Sequence, residues 1–533
     1  MVHFLLNVSL AAVPFCVSSL LSNSYELPRW LLAGLLLVLL LLSQLFTRKS
    51  IVLPILPQKF LLLVGLVIFA QICNIYLLNN LVFGDYFYYI AILFGFSFFF
   101  LQDVGGRGCS VYLNYAWSLL FSCILISVIG FLQLSGFPVL EKLVGARNEG
   151  VAATFGNVNY TAQFLGVCIL FFLYAQANVS SKRSSNFFVV GIIVAITYFS
   201  FLNTRSVIIG LVLSLGWLYL RNNILTRRVL VKLIFGALIL IPLSHRLVQM
   251  GAREFMTDER VKSAHIRLDM WMGTLKMIAD HPLGVGIRNF NFSFVPYRQF
   301  VNLQVEDKES ILNPHNEFLS IAAESGLPIA FAILACVTWF FSRFFRGKKF
   351  ASENSREYDF LIAIAIFLFV ESLLQFPFDG AWPVIIFSFL LAGVLNSWGF
   401  KQDKEGSILR LAFLLISAFI ANHLTSYHLA SAATKRSSIL EKARFACDER
   451  PQDWFGCHRY AQALVKQGKS EEAEVVLLEE IKKQKYNWFA IGLLGEIYHN
   501  TGRQQAGCDL YKKIDAWFNG KSRVHDFIHD KCK

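Results

Sequence analysis

His315 stands in the run Asn313-Pro314-His315-Asn316-Glu317-Phe318-Leu319, with Glu324-Ser325-Gly326 close behind. Asn313 is a good helix N-cap, and Pro314 suits the first helical position, where a missing N–H costs nothing. The spacing predicts His315 in the first helical turn, where unpaired N–H groups and the positive helix end disfavour imidazolium. A neutral imidazole can serve as a general base, and the same helix end attracts anions such as phosphate. The competing reading is an interfacial histidine that only caps a transmembrane helix. Arg205 falls just inside an apolar stretch beginning at Asn203, and a guanidinium at membrane depth calls for an anionic partner. The alternative is an arginine that snorkels to lipid headgroups. Glu371, inside another apolar stretch, is a buried charge that could pair with an arginine or orient His315. Arg267 flanks an apolar stripe of Leu268, Trp271, Leu275 and Ile278. Gly284 and Gly286, in the run from His281 to Arg288, permit a close backbone approach. Without a strand–helix–strand context they do not make a dinucleotide site. Gly156-Asn157-Val158-Asn159-Tyr160 either lines the same cavity or forms a turn and cap.

What must hold these groups is a membrane bundle. The 533 residues are 55% hydrophobic and 15% aromatic, with 51 Phe and a mean hydropathy of +0.52. Too little polar surface is available to cover a soluble globule of that composition. Thirteen apolar segments are expected: 4–22, 27–46, 60–79, 82–101, 114–135, 160–177, 186–202, 204–220, 229–244, 318–341, 359–377, 382–398 and 408–426. The first reads as a span rather than a cleaved leader, since no basic run precedes it. Segments 186–202 and 204–220 require a tight hairpin at Asn203-Thr204. A net charge of +13 does not point to nucleic acid here, because the basic residues sit between apolar segments. Loops after the even-numbered segments carry Arg48, Lys49 and Lys59, Arg107, Lys182 and Arg183, Arg221 to Lys232, Arg343 to Arg356, and Lys401 to Arg410. Alternate loops are poor in basic residues, apart from Arg29, the connection with Lys142 and Arg147, and the 245–317 loop, which is long enough to escape the rule. The N-terminus is therefore expected inside, with the 245–317 loop and the C-terminus outside.

From about Ser431 the chain turns polar, and a 34-residue step relates Trp454-Phe455 to Trp488-Phe489, Ala461 to Gly495, Gly468 to Gly502 and Leu477 to Tyr511. Asp453 and Asn487 precede the copies as N-caps. The period resembles tetratricopeptide repeats, more often a docking module than a catalytic one. Cys447, Cys457, Cys508 and Cys532 form an even set in this tail, as an oxidising compartment allows. Of three formal pairings, Cys447–Cys457 with Cys508–Cys532 is the one expected. No Cys-x-x-Cys pair occurs, so no metal site is expected.

Taken together, Asn157-x-Asn159-Tyr160, Asn203-Thr204-Arg205-Ser206, Arg267 with Trp271, Asp280-His281-Pro282-Leu283-Gly284-Val285-Gly286, and His315-Asn316-Glu317 with Glu324-x-Gly326 resemble the O-antigen ligase and O-antigen polymerase superfamily. That superfamily includes the bacterial protein O-oligosaccharyltransferases. The resemblance covers about residues 30–400 and implies an inverting glycosyltransferase of the bacterial inner membrane, independent of metal or other cofactor. Its donor would be a glycan on undecaprenyl diphosphate, used on the periplasmic side. By position, His315 matches the family's histidine, Arg205 its transmembrane arginine and Arg267 an arginine of the outer loop; Arg260 and Arg288 are further loop arginines. Asn159, Tyr160, Asn316, Glu317, Glu324 and Glu371 would support them. The fold expected is all-α, with a polytopic helix bundle over residues 1–430, the large periplasmic loop 245–317, and a periplasmic repeat domain over 431–533. A ligase using lipid A–core as acceptor leads the expectations, followed by a protein O-oligosaccharyltransferase or a polymerase extending glycan. The rival classes are a lipid-linked glycan transporter, which ought to show repeated halves, and a membrane scaffold worked by its tail and a protein partner.

Overall fold

The computed structural model describes residues 1–17, 26–46, 51–54, 83–107, 110–137, 152–202, 204–221, 224, 259–287, 289–300, 311, 313–346, 355–375, 377–396, 400–403, 415–423, 440–449, 454–517 and 532. The membrane part contains α1 (Val2–Ala12), α2 (Glu26–Phe46), α3 (Phe83–Arg107), α4 (Ser110–Leu134), α5 (Val158–Asn178), α6 (Lys182–Leu202) and α7 (Arg205–Arg221). Then come α8 (Glu259–Asp280), the short α9 (Phe290–Ser293), α10 (Glu317–Ser325), α11 (Leu327–Arg346), α12 (Ser355–Leu374) and α13 (Ala381–Asn396). The tail adds α14 (Leu440–Glu449), α15 (Trp454–Lys466), α16 (Ser470–Lys483), α17 (Trp488–Asn500) and α18 (Gln504–Trp517).

Among the described residues, five helices are long and apolar enough to cross a membrane: α2, α3, α4, α5 and α6. Expected segments 60–79 and 229–244 lie outside the described residues, as does part of 408–426. One expectation needs correction. The segment 318–341 is not one span but two helices, α10 and α11, parted at Gly326. The all-helical expectation holds for the fold class, with the addition of one short antiparallel pairing, Ile51–Pro54 with Phe400–Asp403. That pairing puts the basic loops after segments two and twelve on one side of the bundle.

Burial sorts the helices. In α5, Thr161 to Ala175 are buried without interruption, and α13 is buried almost throughout. A helix apolar all round belongs in the interior. α3 packs on α13, α5 on α6, and α7 on α12, around interlocked rings such as Tyr112, Phe171, Phe360 and Phe389. α4, α6 and α7 instead keep an exposed apolar face, with Phe121, Ile193 and Val212 more than half exposed. Acyl chains can cover such a face because each helix satisfies its own backbone. α6 ends at Leu202 and α7 begins at Arg205, and the two lean on different neighbours, α6 on α4 and α5, α7 on α12. Arg221 Nε lies 3.0 Å from the fully buried Asp359 at one end of the α7–α12 pair. Arg29, the exception to the basic-loop pattern, is buried; it pairs with Glu26 and donates to Thr154 O.

Candidate functional site

The site forms where the far end of α12 meets the polar segment between α7 and α11. A helix leaves its last carbonyls without intrahelical partners. Here the carbonyl of Leu373 accepts from Asn316 Nδ2 at 2.9 Å, and that of Leu374 from Arg267 Nη1 at 3.2 Å. The histidine loop and the arginine helix are thus fastened to one helix end. The partial negative charge of that end also suits a guanidinium. One turn after Arg267, Trp271 Nε1 donates to Pro314 O at 2.8 Å. The Arg267–Trp271 spacing therefore places an anchor and a charge on one face of α8.

His315 does not occupy a first helical turn. Asn316 is the N-cap of α10, its Oδ1 accepting from Leu319 N at 2.9 Å. Asn313 Oδ1 instead accepts from His315 N at 3.2 Å. His315 precedes the helix with φ +51, a left-handed conformation uncommon outside glycine. Its ring is still held neutral, but for another reason. Burial pushes its pKa down to about 4, the Arg267 charge adds to this, and a hydrogen bond with Gln375 opposes it. His315 Nδ1 lies 3.4 Å from Gln375 Oε1.

Arg267 itself is held below the usual guanidinium range by burial; the Glu371 carboxylate opposes this, and the charge of Arg205 adds to it. Arg205, Arg267, Glu371 and His315 therefore share one electrostatic neighbourhood. Arg205 is exposed at the first residue of α7 and makes no hydrogen bond or ion pair among the described residues. Glu371 is fully buried; its Oε2 accepts from Gln163 Nε2 at 2.8 Å and Ser206 Oγ at 3.5 Å, while Oε1 has no partner among the described residues. Glu371 thus lies within electrostatic range of Arg267, and Gln375 lies beside the His315 ring.

The glycine motif proves to be a clasp. Val285 N donates to Ala323 O and Gly286 N to Glu324 O, while Leu327 N donates to Pro282 O. These bonds satisfy the last carbonyls of α10 and set the break before α11. A Cβ on Gly284 would lie 2.4 Å from Glu324 O, and one on Gly326 would lie 2.5 Å from Leu283 C. Glu324 Oε1 also accepts from Phe290 N at 3.3 Å. Met270, Met277, Phe290, Phe294 and Ala322 close a small core beneath the clasp.

The remaining expected residues hold the following local positions. Asn157 caps α5 and accepts from Asn159 N at 2.8 Å, so this run is a turn and cap. Tyr160 packs on the bundle core. Glu317 sits in the first turn of α10. Arg288 and the side chain of Arg260 lie outside the described residues. Gln163 and Gln375 were missed by the sequence reading; the available signal was a lone amide in an apolar run, and for Gln375 a place one turn beyond Glu371.

The tail rests on this unit. α18 packs against Val295–Phe300, and Gln484 Nε2 lies 3.4 Å from Asn289 Oδ1. Disulfides join Cys447 to Cys457 and Cys508 to Cys532, the pairs expected from the sequence. The successive helices α14 to α18 pack in order, and Gly468 and Gly502 turn the chain at φ +76 and +84.

Bundle and site together define a multi-pass membrane protein with a neutral imidazole set among arginines at one face. The family model described as O-antigen ligase matches residues 190–334, from α6 through Arg205, Arg267 and His315 into α11. The match covers this segment alone and supports a likeness to the O-antigen ligase superfamily, the relation the sequence motifs suggest. A comparison of the whole chain with characterised proteins returns no match.

Proposed function

We propose that the protein transfers a glycan from undecaprenyl diphosphate to an acceptor hydroxyl at the periplasmic face of the inner membrane. The observation that carries this reading is the meeting of His315 and Arg267 at the end of α12, with Arg205 close by. Loss of a diphosphate from an anomeric carbon needs fixed positive charge, and planar guanidinium groups give it bidentately without a metal. Arg205 and Arg267 take that role. The acceptor oxygen attacks C1 from the side opposite the diphosphate and its proton passes to His315. The C1–O bond breaks with its electron pair leaving on the diphosphate, so configuration inverts. An imidazole of low basicity becomes a better proton acceptor once a bound diphosphate cancels the charge of Arg267.

Lipid A–core is the acceptor we favour, which makes the protein an O-antigen ligase. The tail, read as a tetratricopeptide-like domain on the same face, suits delivery of a protein acceptor and keeps O-oligosaccharyl transfer to protein as the second reading. His315→Ala should reduce transfer by about 10²–10⁴-fold with unchanged membrane insertion. Full transfer by this variant, from a purified lipid-linked donor, would end the proposal. In a deletion strain, loss of capped lipopolysaccharide marks a ligase. Loss of long chains alone marks a polymerase, loss of glycoprotein a protein transferase, and unchanged glycans favour a transporter or scaffold.

A further inference from the structure

Gln375 sits one residue past the end of α12, 3% exposed, with its N–H donating to Glu371 O at 2.7 Å. It therefore continues the ladder whose neighbouring carbonyls hold Asn316 and Arg267. Gln375 Oε1 faces Nδ1 at 3.4 Å, and because an amide oxygen can only accept, this contact is a hydrogen bond in the tautomer whose proton is on Nδ1. The other nitrogen, Nε2, then bears the lone pair.

Resting on the transfer reaction above, we propose that Gln375 is the positioning residue of this site, fixing the His315 tautomer so that Nε2 takes the proton of the acceptor hydroxyl. The left-handed backbone at His315 and the Asn313 turn set where the ring starts; Gln375 sets which nitrogen faces the substrate. The choice of an amide matters chemically. A carboxylate in this place would stabilise imidazolium in the empty site and keep the base protonated. A neutral partner leaves the ring unprotonated, and the incoming diphosphate supplies the stabilising charge as the proton arrives. Charged groups on the surrounding elements include Arg205 on α7, Arg267 and Asp269 on α8, Glu317 and Glu324 on α10, and Glu371 on α12.

The test uses the full-length protein in detergent with a lipid-linked donor and compares Gln375→Leu with Gln375→Glu. Gln375→Leu should lower kcat about tenfold or more with little change in donor KM. Gln375→Glu places a negative charge beside Nδ1 and raises the imidazole pKa. Because the base works only when neutral, its kcat/KM should fall with acidity at a pH higher by about one unit or more than in the wild type. Nitrogen shifts of labelled His315 should report an Nδ1–H ring in the wild type. If His315→Ala is inactive while Gln375→Glu keeps the wild-type acid limb and Gln375→Leu the wild-type kcat, Gln375 has no such role. If His315→Ala is active, the reaction itself is misassigned. Should Gln375→Leu fail to accumulate, the acid limb of Gln375→Glu decides.

Discussion

The two arginines of the site are not equivalent groups. Arg267 is half-buried, fixed to the Leu374 carbonyl and within electrostatic range of Glu371; Arg205 stands exposed at the start of α7. A fixed guanidinium is preorganised for an anion, and an exposed one can close upon it. If Arg205 clamps the diphosphate, Arg205→Lys loses the planar fork, and kcat/KM should drop about 10- to 100-fold. An arginine that only reaches for headgroups would tolerate the change, so unaltered kcat/KM would remove Arg205 from the site. Arg205 was legible because an intramembrane charge has few structural excuses, and Arg267 because the family resemblance matches it to an arginine of the outer loop. Gln375 was not, since an uncharged amide at the end of an apolar run carries no such signal. The same limit applied to the histidine. Asn313 and Asn316 are equally good caps by type, and Asn316 wins because its amide also reaches Leu373 O, a partner supplied by a distant helix.

Among elements, the clasp between Pro282–Gly286 and Ala323–Leu327 governs whether the site forms. Both Gly284 and Gly326 have φ +89, and each backbone fills the space a side chain would need on the other. Gly284→Ala should destabilise the α8–α10 unit by about 1–3 kcal/mol and depress transfer, while the membrane bundle stays folded. Limited proteolysis would read this as earlier cleavage between residues 245 and 326; an unchanged pattern with normal activity would contradict it. The glycines advertised a close approach in the sequence, whereas their partner did not. Hydrophobic periodicity also read α10 and α11 as one span, because the break depends on that partner and not on local polarity.

For the molecule as a whole, the contact of α18 and Gln484 with the Asn289–Phe300 region places the tail beside the His315 unit. If the outer face is periplasmic, Lys533 and both disulfides belong to an oxidising compartment. A reporter fused after Lys533 should score periplasmic, and alkylation of the unreduced native chain should leave Cys447, Cys457, Cys508 and Cys532 unlabelled. A cytoplasmic score, or labelling of all four, would overturn this topology. The pairing of Ile51–Pro54 with Phe400–Asp403 puts these two segments on the same side of the bundle, whichever side that is.

By itself the amino-acid sequence determined the membrane class, the helical makeup, the polar tail and the identity of the histidine and arginines. The first three follow from composition and periodicity, which act locally along the chain, while the histidine and arginines were singled out by residue type together with the family resemblance. Only the tertiary structure decided which asparagine caps α10, which amide faces His315, and that a helix end fastens Arg267 beside the ring. Those choices depend on unpaired carbonyls of α12, and a hydrogen-bond acceptor in need of a partner gives no sign in sequence of where that partner comes from.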